Sequence, residues 1–567
     1  MSLNKCEPFI KHWWSGGSVE YRHDVREWMQ ASYLTPIPFW EGLFAYSTQE
    51  LGSTSTQLLE KYDFYADCVV RHLGHQNVAL KVVSSSGDIQ SWTYENIDDL
   101  VDIQIPLWRK ESQLTPGKTV ALVLPYGIEY FVALMTALRL GLVVSILPLR
   151  DRFFAHTHFA SVLEHIKPDL VVTLADVLLT HQWDRIDIDL SHKKTTKSEN
   201  GSHAYLAGEI VQKHCNPYSS HAVTLIEATR SYLIPIRDAM ITLQLNRSTC
   251  WARPGLSMYL EEPFSTITAC LAGATTLYVS DGELDALKKA AIDVLAVPSH
   301  LHFTWIQKPL APASKLKLWY RSPLYGNDRS WRAFAELNQL QKTPTCQLLF
   351  DKERGGNILF SQPQPYDVLT FLHPNLGAPW KLQKLAGKGQ ESIEGFGLFS
   401  AEPKGSDPHL ILSQVGDAWC ISGSMSELKE GEPYPKEMVE DTIKTLDFVQ
   451  TCLIVAERHP QHYHNHQFVL LVFVAPKERS MIDKNKEEWT KKIVEKISQA
   501  VGEAFVPDHC QFYAMYPKLV EGMPHRKWIE NQYRRGALFH KKDRSIYHTL
   551  HLIKQSIYET LAYRVPS

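Results

Sequence analysis

The chain of 567 residues is short of most features that assign a protein quickly. Its nine cysteines are scattered and odd in number, with no C-x-x-C pair. That excludes a zinc ribbon and argues against a disulfide framework, so free thiols in a reducing, cytoplasmic compartment are expected. A net charge of -3 gives no whole-chain field to draw nucleic acid or an anionic membrane. No repeat is visible, and the first 17 residues carry no secretory pattern. No long apolar run is uninterrupted: the best candidate, 131–149, is broken by Arg139 and Gly141. It reads as a buried helix running into a strand, not as a membrane span. What is present is an ordinary hydrophobic content, 44%, on a chain long enough for several domains. Aromatics crowd residues 1–60, with Trp13, Trp14, Trp28, Phe39, Trp40 and Phe44. This segment reads as an extension packed on a larger domain, with an exposed aromatic surface as the alternative.

Periodicity gives the architecture. A turn at 115–118 leads into an apolar strand over 120–124. A helix over 128–140 follows and stops at Gly141, and the next strand runs 142–147. Two strands apolar throughout, joined by a helix, indicate a parallel α/β unit. The same alternation continues with a helix over 161–166 and strands over 170–174, 276–279 and 292–297. Residues 191–203 are polar and aperiodic and read as a solvated loop, a basic partner site being the alternative. Toward the C-terminus, strands are expected over 450–456 and 467–475, an amphipathic helix over 489–501, and a basic loop over 517–535. His459, His462, His464 and His466 cluster between the two strands; a solvated loop and a metal site are the two readings.

The chain is organised around residues 419–440. An apolar strand over 419–421 meets a polar break at Ser422, Gly423 and Ser424. A Gly-Glu-Pro-Tyr-Pro turn and a helix over 437–446 follow. The order of Gly423, Glu427–Leu428–Lys429, Gly431–Glu432, Pro435 and Glu437–Met438–Val439–Glu440 resembles the inter-domain hinge of the AMP-forming adenylate-forming enzymes. These are the acyl-CoA synthetases, acyl-ACP ligases and peptide-synthetase adenylation domains. Ser424 stands where that family has Arg. Gly117, Val120, Pro125, Glu129, Gly141 and Pro148 match another stretch of the same family, and the resemblance spans about 60–535.

The resemblance implies an α/β fold with a large domain of mixed and parallel sheets, 61–423, and a small α+β lid, 424–567. It implies ATP and Mg²⁺ as reactants and a carboxylic acid as substrate. CoA or an acyl-carrier protein would accept the acyl group, and no nucleic acid is expected as partner. The family's glycine-rich phosphate loop should fall at 220–245, but residues 225–240 contain no glycine. Thr229, Arg230 and Ser231 are left as a residual anion site or an ordinary polar turn. Lys527 takes the place of the family's lid lysine, with Arg526 where a glycine is usual, and is the candidate catalytic cation; a solvated surface lysine is the alternative. Glu353 or Asp351 would hold Mg²⁺, and Asp417 would touch nucleotide or merely begin the strand before the hinge. Gly423 and Ser424 would form the hinge itself. Two functions remain open: an acid–thiol ligase, or a degenerate relative that binds an acyl group or a protein.

Overall fold

The computed structural model describes residues 61–538 except 85, 112, 150, 178–182, 192–200, 219–222, 229–231, 256, 280, 310–315, 324–327, 353–355, 362, 364–371, 375–379, 385–395, 401–409, 416–417, 425–426, 460–461, 515–518, 521–522 and 537. The expected N-terminal extension lies outside the described residues. The chain forms two compact units. One runs to Pro433 and includes Pro460–Asn465; the other comprises Tyr434–His459 and the chain from His466.

The first unit begins with β1 (Lys61–Tyr62), β2 (Val78–Val83) and β3 (Ile89–Thr93). Then come β4 (Thr119–Leu122), β5 (Val143–Ile146), β6 (Leu170–Thr173), β7 (Arg185–Asp187), β8 (Tyr205–Leu206), β9 (Ile210–Cys215) and β10 (Val223–Glu227). A six-stranded sheet has the order β10-β9-β5-β4-β6-β7, parallel except for the β10–β9 pair. Every residue of β4, β5 and β6 is buried, as strands covered on both faces must be.

β11 (Cys250–Pro254), β12 (Thr275–Val279), β13 (Val294–Val297), β14 (Leu318–Arg321), β15 (Thr345–Asp351), β16 (Gly356–Phe360) and β17 (His373–Pro374) follow. They join β2 and β3 in a nine-stranded sheet, order β17-β16-β15-β14-β13-β11-β12-β2-β3. Its centre, β15 to β2, is parallel, and both flanks are antiparallel. The architecture is the expected mixed α/β one, with helices between the strands. Helix Ile128–Leu140 ends at Gly141 (φ 71°), and the chain turns directly into β5. An ideal Cβ on Gly141 would lie 2.4 Å from the His203 ring, so glycine is needed there for space as well as for its backbone angle.

β18 (Trp380–Lys384), β19 (Phe396–Ser400), β20 (Leu410–Val415) and β21 (Ala418–Ser424) make a four-stranded antiparallel sheet. Here the structure corrects the sequence reading. The polar triplet 422–424 does not end the strand. Ile411 pairs with Gly423 and Leu412 with Ile421, so Ser422 is a bulge and pairing resumes through Ser424. β22 (Leu428–Lys429) and β23 (Glu432–Pro433) then form a hairpin whose two turn residues, Glu430 and Gly431, both have positive φ (50° and 88°). That is the two-residue turn that matches strand twist.

The second unit opens with helix Lys436–Lys444, then β24 (Val449–His459), β25 (His462–Val474), helix Ile482–Ala500 and β26 (His509–Tyr513). β25 and β26 are parallel, in a sheet of order β24-β25-β26. His459 and His462 lie within strands, not in a loop, because both strands extend further than their apolar cores. The expected basic loop is also corrected. β27 (Leu519–Val520) and β28 (Met523–Pro524) form a hairpin, and Arg526–Arg534 is a helix. Arg526 and Lys527 at the helix start oppose its dipole, so the helix depends on its cap and its buried face. The Trp528 amide donates to the His525 side chain, capping the helix, and Ile529 and Tyr533 bury one face against Leu453, Val455 and Leu471.

Candidate functional site

Parallel sheets put their ligand crevices at the carboxyl ends of the strands, where the chain leaves the sheet with polar groups still unassigned. In the first unit the ends of β5, β9, β11 and β15 converge. Asp151 follows β5. Its half-buried carboxylate accepts from the Phe153 amide at 2.8 Å, the Ser257 hydroxyl at 2.9 and 3.0 Å, and the Tyr259 amide at 3.2 Å. It thereby ties the end of one sheet to the segment that leaves β11 of the other. Burial raises the Asp151 pKa, and the hydrogen bonds it accepts offset part of that rise.

Tyr259 is the centre of an aromatic group. Phe154 lies 4.9 Å from its ring and His214, near the end of β9, 5.2 Å. Lys352, the residue after β15, sets its ammonium 4.3 Å from the Tyr259 ring centroid. Lys352 Nζ also pairs with Glu432 of the β22–β23 hairpin at 2.6 Å, its side chain only 9% exposed. Arg152 pairs with Glu430 of the same hairpin at 3.1 Å. Two ion pairs therefore seat this hairpin beside the strand ends. Burial, with the Lys352 charge adding to it, pushes His214 down to about 3, so the ring is neutral at physiological pH.

A second polar centre underlies the first. Arg253 in β11 and Glu262 have fully buried side chains paired at 2.8 Å. Glu262 also accepts from the hydroxyls of Tyr126 (2.6 Å), Tyr130 (2.8 Å) and Thr266 (2.9 Å). The Arg253 guanidinium packs over Trp251 at 4.8 Å and Tyr278 at 5.3 Å. Both carboxylate oxygens of Glu262 are thus satisfied. The network fixes the two ends of residues 253–262, the segment that carries Ser257 and Tyr259.

The residues singled out from sequence fare differently. Thr229, Arg230, Ser231, Glu353 and Asp417 lie outside the described residues. Gly423 and Ser424 are strand residues in β21, paired with Ile411 and Leu410. Lys527 is exposed on the first turn of helix Arg526–Arg534 in the second unit. Its neighbour Arg526, the residue in place of the usual glycine, makes a bidentate pair with Glu440 at 2.9 and 2.7 Å. Glu440 also accepts from the Ile454 amide at 2.7 Å, so Arg526 has a structural task. Among the described residues no group of three or more His, Cys, Asp and Glu could hold a metal ion. Cys68, Cys215, Cys250, Cys270, Cys346, Cys452 and Cys510 are free thiols, all but Cys510 buried. No described helix is long and apolar enough to cross a membrane.

Sequence reasoning missed Asp151, His214, Tyr259 and Lys352. One available signal was position: Arg-Asp-Arg at 150–152 and Asp-Lys at 351–352 each follow an apolar strand directly.

No family model matches the chain, and no curated protein does. Solved structures do. An artificially fused adenylation–PCP di-domain NRPS, NpsA-ThdA, from Klebsiella oxytoca aligns with a TM-score of 0.61 at 12% identity, over 79% of this chain and 93% of that one. A double mutant of o-succinylbenzoate CoA synthetase from Bacillus subtilis aligns with a TM-score of 0.61 at 9% identity, over 83% and 99%. A fatty acid AMP ligase from Legionella pneumophila aligns with a TM-score of 0.60 at 11% identity, over 86% and 98%. The chain therefore has the fold of the adenylate-forming enzymes.

Proposed function

We propose that this chain is an ATP-dependent acid–thiol ligase. It activates a carboxylic acid as the acyl-adenylate and passes the acyl group to CoA or to a carrier-protein thiol, in the cytoplasm. The carrying observation is the convergence of strand ends from two parallel sheets on Asp151, Tyr259 and Lys352, in a fold shared with ligases of this kind. In the first step a carboxylate oxygen attacks the α-phosphorus of ATP and pyrophosphate leaves. In the second a thiolate attacks the acyl carbonyl and AMP leaves with the bonding electrons. Residues 61–423 are the large domain and 424–567 the lid; because Gly423 and Ser424 are paired within β21, the hinge lies C-terminal to them, toward Pro433 where the compact units divide. Lys527 is the cation for the charge that builds on phosphate and carboxylate. Thr229, Arg230, Ser231 and Asp417 bind nucleotide, and Glu353 takes Mg²⁺.

One observation favours a second reading, a relative that keeps the fold and binds an acyl group or a protein without ATP chemistry. Phosphates need close backbone approach, and residues 225–240, where the resemblance would put the phosphate loop, contain no glycine. ATP–pyrophosphate exchange with fatty, aromatic and amino acids decides between the two, with Lys527→Ala as control. Exchange that Lys527→Ala abolishes supports the ligase. No exchange, with no thermal shift on adding ATP and Mg²⁺, leaves only the binding protein.

A further inference from the structure

His214 is 6% exposed, and its Nε2 is buried without a hydrogen-bond partner. A buried, neutral imidazole nitrogen left unpaired is destabilising, and a polar atom in that state calls for something that completes it. The ring faces Tyr259, whose ring also carries the Lys352 ammonium. The charge of Lys352 reaches His214, since it helps to lower that ring's proton affinity. An unspent hydrogen-bonding nitrogen and a nearly buried ammonium thus flank one aromatic ring, at the strand ends where a crevice belongs.

The partner that Lys352 holds is itself informative. It is a carboxylate, Glu432, at 2.6 Å, and that carboxylate arrives on a two-strand hairpin and not from the sheet. Glu432 is 22% exposed against 9% for Lys352, so the cation is the fixed, enclosed half of the pair. Desolvation offsets much of the attraction in a pair of this sort, so its net contribution is small. A small carboxylate at millimolar concentration can therefore compete with Glu432 for the ammonium.

We propose that Lys352 Nζ, His214 Nε2 and the Tyr259 ring form the recognition site for the carboxylate of the acid substrate, and that Glu432 occupies this site as an internal surrogate. With a ligand present, one carboxylate oxygen takes the Lys352 ammonium and the other accepts from Nε2–H of the neutral His214. The carbon chain or ring of the acid lies against Tyr259. The assignment rests on the acid-ligase reading for the identity of its ligand, but binding can be measured without ATP.

Straight-chain acids from acetate to palmitate, with benzoate and phenylacetate, are titrated calorimetrically against the full-length protein without nucleotide; the matching primary amides are controls. At least one acid binds and its amide does not. Lys352→Met weakens that binding about tenfold or more, and His214→Phe, which keeps an aromatic ring, weakens it severalfold. Glu432→Gln tightens it, because the surrogate is gone while the fold keeps an isosteric side chain. That variant separates recognition from support: were the ion pair only structural, Glu432→Gln would leave binding unchanged or weaken it. No acid binding to either wild type or Glu432→Gln overturns the site, as does binding indifferent to all three substitutions. Carboxylate binding without pyrophosphate exchange keeps the site and removes the ligase. Exchange with an acid KM unmoved by Lys352→Met does the reverse.

Discussion

Replacing Glu262 by Gln tests the buried polar centre formed with Arg253. The substitution conserves volume, so no cavity term enters. It strands the Arg253 guanidinium, whose side chain has no exposure, without a counter-charge. An amide NH₂ turned to the Oε1 side meets the Arg253 guanidinium, which can only donate; turned to the Oε2 side it meets the Tyr130 hydroxyl, which can accept. Arg253 and Tyr126 reach Oε1 at 2.8 and 2.6 Å, and Tyr130 reaches Oε2 at 2.8 Å. Breaking one half of a buried pair costs about 3–5 kcal/mol, and Glu262→Gln should fall in that range. Arg253→Met should cost a similar amount by leaving Glu262 alone. The double variant should cost less than the two singles together by about 2 kcal/mol, since no unpaired charge remains. Urea denaturation followed by tryptophan emission measures all three, because the guanidinium lies 4.8 Å from the Trp251 ring. A Glu262→Gln loss below about 1 kcal/mol, or strict additivity in the double variant, would refute a coupled buried pair.

Gly141→Ala forces an L-residue to φ 71° and drives its Cβ into the His203 ring, so a loss of about 1–2 kcal/mol is expected in the same urea assay. In the second unit, Glu440→Ala releases Arg526 and leaves the Ile454 amide without its acceptor. Hydrogen exchange at Ile454 should accelerate by an order of magnitude or more, whereas Arg526→Ala, removing a side chain 41% exposed, should cost only about 1 kcal/mol. Burial, opposed only in part by Arg253, pushes Glu261 from 4.5 up to about 8. The folded chain then keeps a proton that the unfolded chain releases. This contribution to stability is complete below pH 4.5 and is lost as pH rises through about 8. Glu261→Gln should flatten the decline, measured as urea midpoint against pH.

How much could be read in advance depended on whether the signal was local. Helix Ile128–Leu140 and its stop at Gly141 were legible to the residue, because the apolar period and a C-terminal glycine both lie in the local sequence. The parallel strands were legible because burial on both faces leaves an uninterrupted apolar run. Ser422 misled because a bulge tolerates polar residues inside a strand, and only the partner β20 reveals that pairing resumes. Arg526 read as part of a basic loop because its partner Glu440 lies 86 positions earlier. The cluster at the strand ends was the least legible part. Asp151, His214, Tyr259 and Lys352 come from four separate segments, and no spacing rule connects them. The motif-derived residues depended on a pattern that the chain keeps near residue 431 and departs from at 225–240.

The strand order of the large sheet also sets a timetable for biosynthesis. Leu80 in β2 aligns with Thr276 in β12, 276 − 80 = 196 residues later, and the whole six-stranded sheet is encoded between them. At ~5–20 residues per second a ribosome needs about 10–40 s to make that interval. During it the nascent β2–β3 ribbon has no permanent neighbour on its β2 side, while the six-stranded sheet can already close. The early ribbon is therefore where a holdase would bind, and rare codons clustered between 227 and 275 would lengthen its exposure.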